Sequence, residues 1–162
     1  MKFLSAPWRW DFISGKKKNK GCVFCNALKL PDNESFICCR GDRFFVILNR
    51  YPYNSGHLMI VPYAHVDSPD KISGEDSKEM WELVNTSMAV LKQSFNPVGF
   101  NLGMNLGKVA GAGVKDHIHL HIVPRWEGDA NFMPVIAKTD VASYDLRTIF
   151  DILHNEFNRF NR

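Results

Sequence analysis

Apolar residues recur at a helical spacing in two segments of the chain. In the first, they fall three or four residues apart between Met80 and Phe95, and Pro97 follows. This pattern predicts a helix over residues 77–95, because such residues share one helix face and proline cannot continue the helix. A second helix is predicted from about Tyr144. Its apolar side carries Leu146, Ile149, Phe150, Leu153 and Phe157.

Shorter apolar segments, separated by turn residues, predict strands. They cover residues 36–39, 44–48, 57–61, 99–105 and 117–123. Arg40-Gly41-Asp42-Arg43 forms a turn between the first two, and Asn54-Ser55-Gly56 forms a turn before the third. The fold class that we predict is α+β, with a mainly antiparallel sheet of about five strands and two main helices. We expect a single domain over residues 1–162.

The last predicted strand has an unusual polar pattern. His117, His119 and His121 alternate with large apolar residues, so that three of the six histidines fall within five positions. Side chains two apart on a strand share a face, so the histidines are expected on one face. The apolar residues between and after them are expected to face the core. These residues are Ile118, Leu120 and Ile122.

Such a row of imidazoles fits two chemistries. Three histidines can hold a catalytic zinc that keeps water in its fourth position. Alternatively, one histidine attacks phosphorus while its neighbours bind phosphate oxygens. A polar strand face without function is the third interpretation, and the spacing argues against it.

Composition narrows the classes of partner. The chain has 162 residues, 45% of them apolar, and a net charge of +3, which is too small to argue for nucleic acid or a membrane. Pro7 and Arg9 interrupt the first apolar stretch, unlike a signal peptide. We therefore expect a cytoplasmic protein with reduced thiols, which binds neither nucleic acid nor membrane.

The cysteines are open to more than one interpretation. Cys22 and Cys25 form a C-x-x-C, which supplies half of a zinc site or a redox pair. A zinc site needs two more ligands. Cys38 and Cys39 are adjacent in a predicted strand, so we expect them on opposite faces and not as joint ligands. The cysteines could also simply be free and reduced.

Glycines lie between the last two predicted strands. Gly103 to Val109 superficially resembles a P-loop, but it is one residue short between its glycines and has Val109 in place of Ser or Thr. We reject a P-loop there. In the next stretch, the backbone N–H groups of Gly111 and Gly113 are candidates for phosphate contact, because glycine lacks a Cβ. A plain loop would fit the same glycines.

The histidine row resembles the signature of the histidine triad (HIT) family of nucleotidyl hydrolases and transferases. Asn49, the run Gly56-His57-Leu58-Met59-Ile60-Val61-Pro62 and His65 follow in the family's order. Ala6-Pro7-Trp8-Arg9 with Gly21-Cys22-Val23-Phe24-Cys25 resembles its zinc-containing bacterial members. Val123-Pro124-Arg125-Trp126 and Gly128-Asp129-Ala130-Asn131-Phe132 are similar to the bacterial diadenosine-tetraphosphate phosphorylase branch. The resemblance implies a HIT-like fold and a homodimer.

The resemblance also implies roles for single residues. A structural zinc would be held by Cys22, Cys25, His65 and His117. His119 would be the nucleophile, and His121 and His57 would donate to the phosphate oxygens. Asn49 would contact the ribose or base, although a turn residue is nearly as good an interpretation. Asn105 lies where relatives place a phosphate-contacting amide.

The function that we predict is a nucleotide hydrolase or nucleotidyl transferase. It would cleave dinucleoside polyphosphates, such as diadenosine tetraphosphate, through a nucleotidyl-histidine intermediate on His119. Hydrolysis is slightly favoured over phosphorolysis, which would give ADP plus ATP. Less favoured candidates are a nucleoside phosphoramidase, a three-histidine metallohydrolase and a non-catalytic nucleotide-binding protein. Gly113 and Val114 replace the Gln and Ser/Thr of many triad proteins, which weakens any transfer of substrate preference.

Overall fold

The computed structural model describes residues 21–129 and 145–160. Its strands are β1 (Ile37–Arg40), β2 (Phe44–Leu48), β3 (Leu58–Pro62), β4 (Gly99–Gly103) and β5 (Leu120–Arg125). Its α-helices are α1 (Val23–Ala27), α2 (Asp32–Ser35), α3 (Gly74–Phe95) and α4 (Leu146–Phe160). Two 3-10 turns, Pro69–Lys71 and Lys108–Ala110, complete the described elements.

The sheet has the order β1-β2-β3-β5-β4, and every neighbouring pair is antiparallel. This confirms the predicted α+β class with five strands and two main helices. The motifs at residues 6–9 and 130–132, and the predicted helix start at Tyr144, lie outside the described residues.

The two long helices cover one face of the sheet. Apolar residues of α3, such as Val84 and Leu91, pack in one cluster with Leu153 and Phe157 of α4 and with the strands. Ile122 of β5 belongs to this cluster, as its place in the alternating pattern predicts. None of the described helices is long and apolar enough to span a membrane.

A smaller cluster lies on the other face of the sheet. Phe24 of α1 packs there against strand residues. The strand members are Ile37, Phe45, Ile47, Met59 and Val61. Met59 is the cross-strand partner of His121, and directly opposed side chains of an antiparallel pair share a face. The histidine face is therefore the face of α1, opposite to the long helices.

Among the element boundaries that differ from the prediction, two have clear local reasons. Helix α3 begins at Gly74, three residues early, because the Ser73 side chain accepts the Asp76 N–H at 3.0 Å and caps a polar first turn. Strand β1 begins at Ile37, because Phe36 has a left-handed conformation with φ 66°.

The prediction for Cys38 and Cys39 was wrong in part. Both thiols are buried in the cluster under the long helices, although adjacent strand residues were expected on opposite faces. The register of β1 against β2 shifts between Ile37 and Cys39, which marks a β-bulge. A bulge breaks the alternation of side chains between the two faces.

A further difference concerns the histidine strand. β5 begins at Leu120, so His117 and His119 precede it. In the register of β3 with β5, residue 118 would face Pro62, which has no N–H to offer the Ile118 carbonyl. The Pro62 carbonyl accepts from His117 Nε2 at 2.9 Å, and the Ile118 N–H donates to the Val66 carbonyl at 2.6 Å.

Candidate active site and metal site

His119 lies just before β5 with its ring largely buried. Its Nδ1 lies 3.0 Å from the carbonyl oxygen of His117. A carbonyl can only accept, so Nδ1 carries the proton and Nε2 keeps a free lone pair. Burial lowers the pKa of His119, which favours this neutral form. In this form the Nε2 lone pair is chemically able to act as a nucleophile.

His57 and His121 form a directed pair of imidazoles. The Tyr53 backbone N–H donates to His57 Nδ1 at 3.2 Å, and His57 Nε2 lies 2.9 Å from His121 Nδ1. Because His57 Nδ1 accepts, its Nε2 carries the proton and donates to His121. His121 is then left with its own proton on Nε2. This chain of hydrogen bonds, which starts at a backbone N–H, makes His121 a donor. It commits the His57 N–H to His121, rather than to a phosphate oxygen as the resemblance implied.

Desolvation keeps this pair neutral. Burial, followed by the charges of its histidine neighbours, lowers the pKa of His57 to about 3. Burial, followed by the charge of His119, lowers the pKa of His121 to about 4. The ring centroids of His119 and His121 are 4.7 Å apart, and those of His57 and His121 are 5.0 Å apart. A ring with a free Nε2 lone pair and a ring with a free Nε2–H therefore meet in one cluster.

Asn49 lies beside this cluster, at the end of β2. Its Oδ1 accepts the Tyr51 N–H at 2.9 Å, and its Nδ2 lies 3.3 Å from His57 Nδ1. The first contact is the turn role that the sequence allowed. The second places the amide next to the His57–His121 pair.

Four side chains converge on a second site next to His119. The donor atoms of Cys22, Cys25, His65 and His117 all lie within 4.8 Å of one another. Cys22 Sγ is 3.3 Å from His117 Nδ1, and Cys25 Sγ is 3.3 Å from His65 Nδ1. Zinc bond lengths in a tetrahedron separate such atoms by roughly 3.3 to 3.8 Å. The donor set and spacing therefore fit a four-coordinate metal.

The tautomer of His117 also fits a metal ligand. Its Nε2 lies 2.9 Å from the Pro62 carbonyl, so Nε2 carries the proton and Nδ1 offers its lone pair to the thiols. His119 Nδ1 and His121 Nδ1 instead face a carbonyl and another imidazole. Among residues 21–129 and 145–160, this Cys/His group is the metal-competent cluster, rather than the row of three histidines.

The profile of the HIT domain matches residues 31–128, well over half of the chain. The chain belongs to the HIT family. This confirms the resemblance carried by the histidine row.

Individual relatives refine this assignment. The chain is 39% identical to the AP-4-A phosphorylase of Mycobacterium tuberculosis, with 96% of this chain and 84% of the relative covered. It is 29% identical to the bis(5'-adenosyl)-triphosphatase of Dictyostelium discoideum, over 52% of this chain and 56% of that protein. A solved Zn-bound histidine triad family protein from Mycobacterium smegmatis has the same fold, with a TM-score of 0.69 and 24% identity. That likeness covers 87% of this chain and 96% of the other.

The remaining predicted site residues of this HIT protein lie in the loop between β4 and β5. Asn105 is half-buried, and a Cβ built on Gly111 would lie 4.0 Å from its Nδ2. The Gly111 N–H donates within the loop, to the Lys108 carbonyl at 3.1 Å. Gly113 is exposed, and a Cβ there would meet nothing within 4 Å. Val114 then packs against the Phe24 cluster, which anchors the end of the loop.

Sequence reasoning missed a hydrogen-bond network that holds the turn before His57. The Asp129 carboxylate accepts Arg125 Nε at 2.6 Å and Nη2 at 2.7 Å. It also accepts Asn54 Nδ2 at 2.7 Å, and the Asn54 carbonyl accepts the His57 N–H at 3.1 Å. The spacing of four residues between Arg125 and Asp129 could have indicated their ion pair. The Asn54 contact joins segments that are distant in the chain, so no local pattern indicates it.

Proposed function

We propose that this HIT protein cleaves dinucleoside polyphosphates through a nucleotidyl-histidine intermediate on His119. The observation that carries the proposal is the hydrogen bond from His119 Nδ1 to the His117 carbonyl. It leaves Nε2 unprotonated beside the donor His121, which is the arrangement that attack on phosphorus requires. The names of the two relatives support the substrate class, because both refer to adenosine polyphosphate compounds.

The reaction proceeds in two displacements. His119 Nε2 forms a bond to the α-phosphorus, and the bond from that phosphorus to its bridging oxygen breaks. With diadenosine tetraphosphate, ATP leaves and adenylyl-histidine remains. An acceptor then attacks the same phosphorus and releases the histidine nitrogen. Two displacements replace one difficult step, which is the advantage of covalent catalysis.

The neighbouring residues stabilise the charge that develops. His121 Nε2–H donates to a non-bridging phosphate oxygen, and His57 holds His121 in that tautomer. Asn49 Nδ2 contacts the ribose or base of the bound nucleotide. Asn105, Gly111 and Gly113 supply the loop that approaches the polyphosphate chain. Gly113 and the apolar Val114 stand where many triad proteins have Gln and Ser/Thr, so neither position offers a polar side chain to the substrate.

The second displacement decides between two reaction classes. Water as acceptor gives AMP plus ATP, whereas inorganic phosphate gives ADP plus ATP. The sequence slightly favoured water. The 39% identity to an AP-4-A phosphorylase over 96% of the chain now favours phosphate.

Product analysis with and without inorganic phosphate tests this choice. We expect ADP and ATP in equal amounts from diadenosine tetraphosphate when phosphate is present, and little turnover when it is absent. AMP release at the same rate in both reactions would make the protein a hydrolase. Cleavage of nucleoside phosphoramidates without cleavage of any dinucleoside polyphosphate would reject the substrate class.

The Cys22, Cys25, His65 and His117 cluster holds a structural zinc in this proposal. Two thiolates and two imidazoles match the preference of zinc for sulfur and nitrogen. Four protein ligands close the site, so a metal there has no open position for substrate. Its contribution is to join α1, the segment after β3 and the segment before β5.

A further inference from the structure

Phe24 lies between the two cysteines of the metal cluster, in α1. Its side chain is buried, and it contacts two histidines of different function. The centroid distance is 5.4 Å to His117, with an interplanar angle of 75°, and 5.0 Å to His119, with an angle of 53°. We propose that Phe24 is a positioning residue that fixes the ring orientation of His119. This inference rests on the proposed role of His119 as nucleophile.

The hydrogen bond of His119 does not fix its ring alone. One hydrogen bond from Nδ1 sets where that atom points, but it leaves the ring plane free to rock about that contact. The χ2 torsion of histidine has broad minima, so rotamer preference does not hold the plane. Attack on phosphorus needs the Nε2 lone pair aligned with the reacting bond. Side-chain packing must therefore supply the missing restraint.

Two aromatic neighbours supply it. The His121 ring meets the His119 ring edge-on at 4.7 Å with an angle of 75°, and Phe24 meets it at 5.0 Å. These separations lie within the range of favourable aromatic pairs. With both neighbours in place, rocking of the His119 ring collides with a packed ring. His121 is itself held by His57, so Phe24 is the restraint that comes from outside the histidine cluster.

The position of Phe24 depends in turn on the metal ligands. α1 has five residues, far too few for a helix that is stable without tertiary contacts. Its anchors are the burial of Phe24 and the two thiols that face His117 and His65. The metal ligands are therefore connected to His119 by two contacts, one from the His117 carbonyl and one from the Phe24 ring.

Phe24→Leu tests this role, with Phe45→Leu as the matched control. Both phenylalanines are buried in the same cluster, but the Phe45 ring packs on Tyr63 at 5.4 Å. In Phe24→Leu we expect kcat to fall by roughly 10- to 100-fold, with KM within about twofold, because misplacement of a reacting group acts on the chemical step. Phe45→Leu should keep kcat within about twofold while it lowers thermal stability to a similar extent.

Two further measurements separate positioning from general loosening of the fold. Nitrogen NMR of the imidazoles should show one Nδ1–H tautomer of His119 in the wild type and in Phe45→Leu, and a tautomer mixture in Phe24→Leu. The single-turnover rate of adduct formation should fall with kcat. Phe24→Met, which keeps an apolar side chain of similar length, provides the same test if the Leu variant does not fold.

Several outcomes would overturn the inference. A wild-type tautomer and adduct rate in Phe24→Leu would do so, as would equal losses of kcat in the two Leu variants. If the wild type forms no histidine adduct, the proposed function itself fails. The NMR comparison then still decides whether Phe24 orients the His119 ring.

Discussion

On the face of the sheet under α3 and α4, apolar side chains fill the space between helices and strands. On the opposite face, a short helix and a small apolar cluster surround four buried or half-buried histidines. Their ring nitrogens bond to the carbonyls of Pro62 and His117, to the Tyr53 N–H and to one another. The first face stabilises the fold through the apolar area that it buries. The second orients the histidine rings through fixed hydrogen-bond partners.

Replacement of His119 should have the largest effect of all, and the effect should fall on turnover rather than on stability. In His119→Asn, the amide can still donate to the His117 carbonyl, but no imidazole remains to attack phosphorus. We expect turnover to fall on the order of 10⁴-fold or more, while nucleotide binding and the melting temperature stay close to the wild type. Steady-state kinetics, nucleotide titration and calorimetry check the three quantities.

Leu153→Ala is the opposite case, on the helix face. Leu153 is fully buried, so we expect a loss of about 2 to 5 kcal/mol in unfolding free energy with kcat unchanged. His154→Asn on the same helix is a second control for His119, because it removes an imidazole from the face of the sheet opposite to the histidine cluster. Multiple turnover in His119→Asn with the wild-type products would contradict the nucleophile assignment.

Metal removal should have the next largest effect, and it acts on stability. A metal at about 1,000 times its Kd stabilises a folded protein by about 4 kcal/mol. For a chain of this size, that corresponds to about 8 to 16 °C in melting temperature. Calorimetry of zinc-loaded and chelated protein measures the shift, and Cys25→Ser should show none on chelation. An unchanged melting temperature after complete chelation would refute the structural zinc.

The smallest expected effect concerns the turn that carries Tyr53. The Arg125 guanidinium holds the pKa of Asp129 far below its usual range. A depressed folded pKa contributes stability that is present above the unfolded pKa, near 4, and is lost as pH falls below it. Asp129→Asn should therefore be less stable than the wild type at pH 7, by less than Leu153→Ala. The difference should shrink from about pH 4 downward.

Denaturant unfolding of both proteins at several pH values measures this difference. A gap between wild type and Asp129→Asn that stays constant through the acid range would show that the carboxylate charge is not what holds the turn.

The contrast between the faces also explains what the sequence could predict. The five strands, the two long helices and the four metal-competent residues follow from periodicity, spacing and the family resemblance. Helix α3 began earlier than predicted because its first turn is polar and depends on Ser73. The apolar pattern contains no signal for a cap of this kind, although Ser73 and Asp76 have the spacing of one.

The partners that set the tautomers were beyond sequence reasoning for a different reason. The tautomers depend on backbone groups of Pro62, Tyr53 and His117. Every residue has a backbone carbonyl, so the residue types do not show which carbonyl will accept a hydrogen bond. The role of Phe24 was hidden in the same way, because its contact with His119 joins segments that are far apart in the chain. Such contacts follow from the fold, not from residue type.

The late start of β5 has a consequence for any attempt to transplant this chemistry. A histidine row grafted onto a strand that is paired along its full length would have its backbone carbonyls committed to the neighbouring strands. Here His117 and His119 precede β5, and the His117 carbonyl accepts from the ring of His119, two positions on. A designer would therefore have to copy the break in strand pairing before β5 together with the histidines.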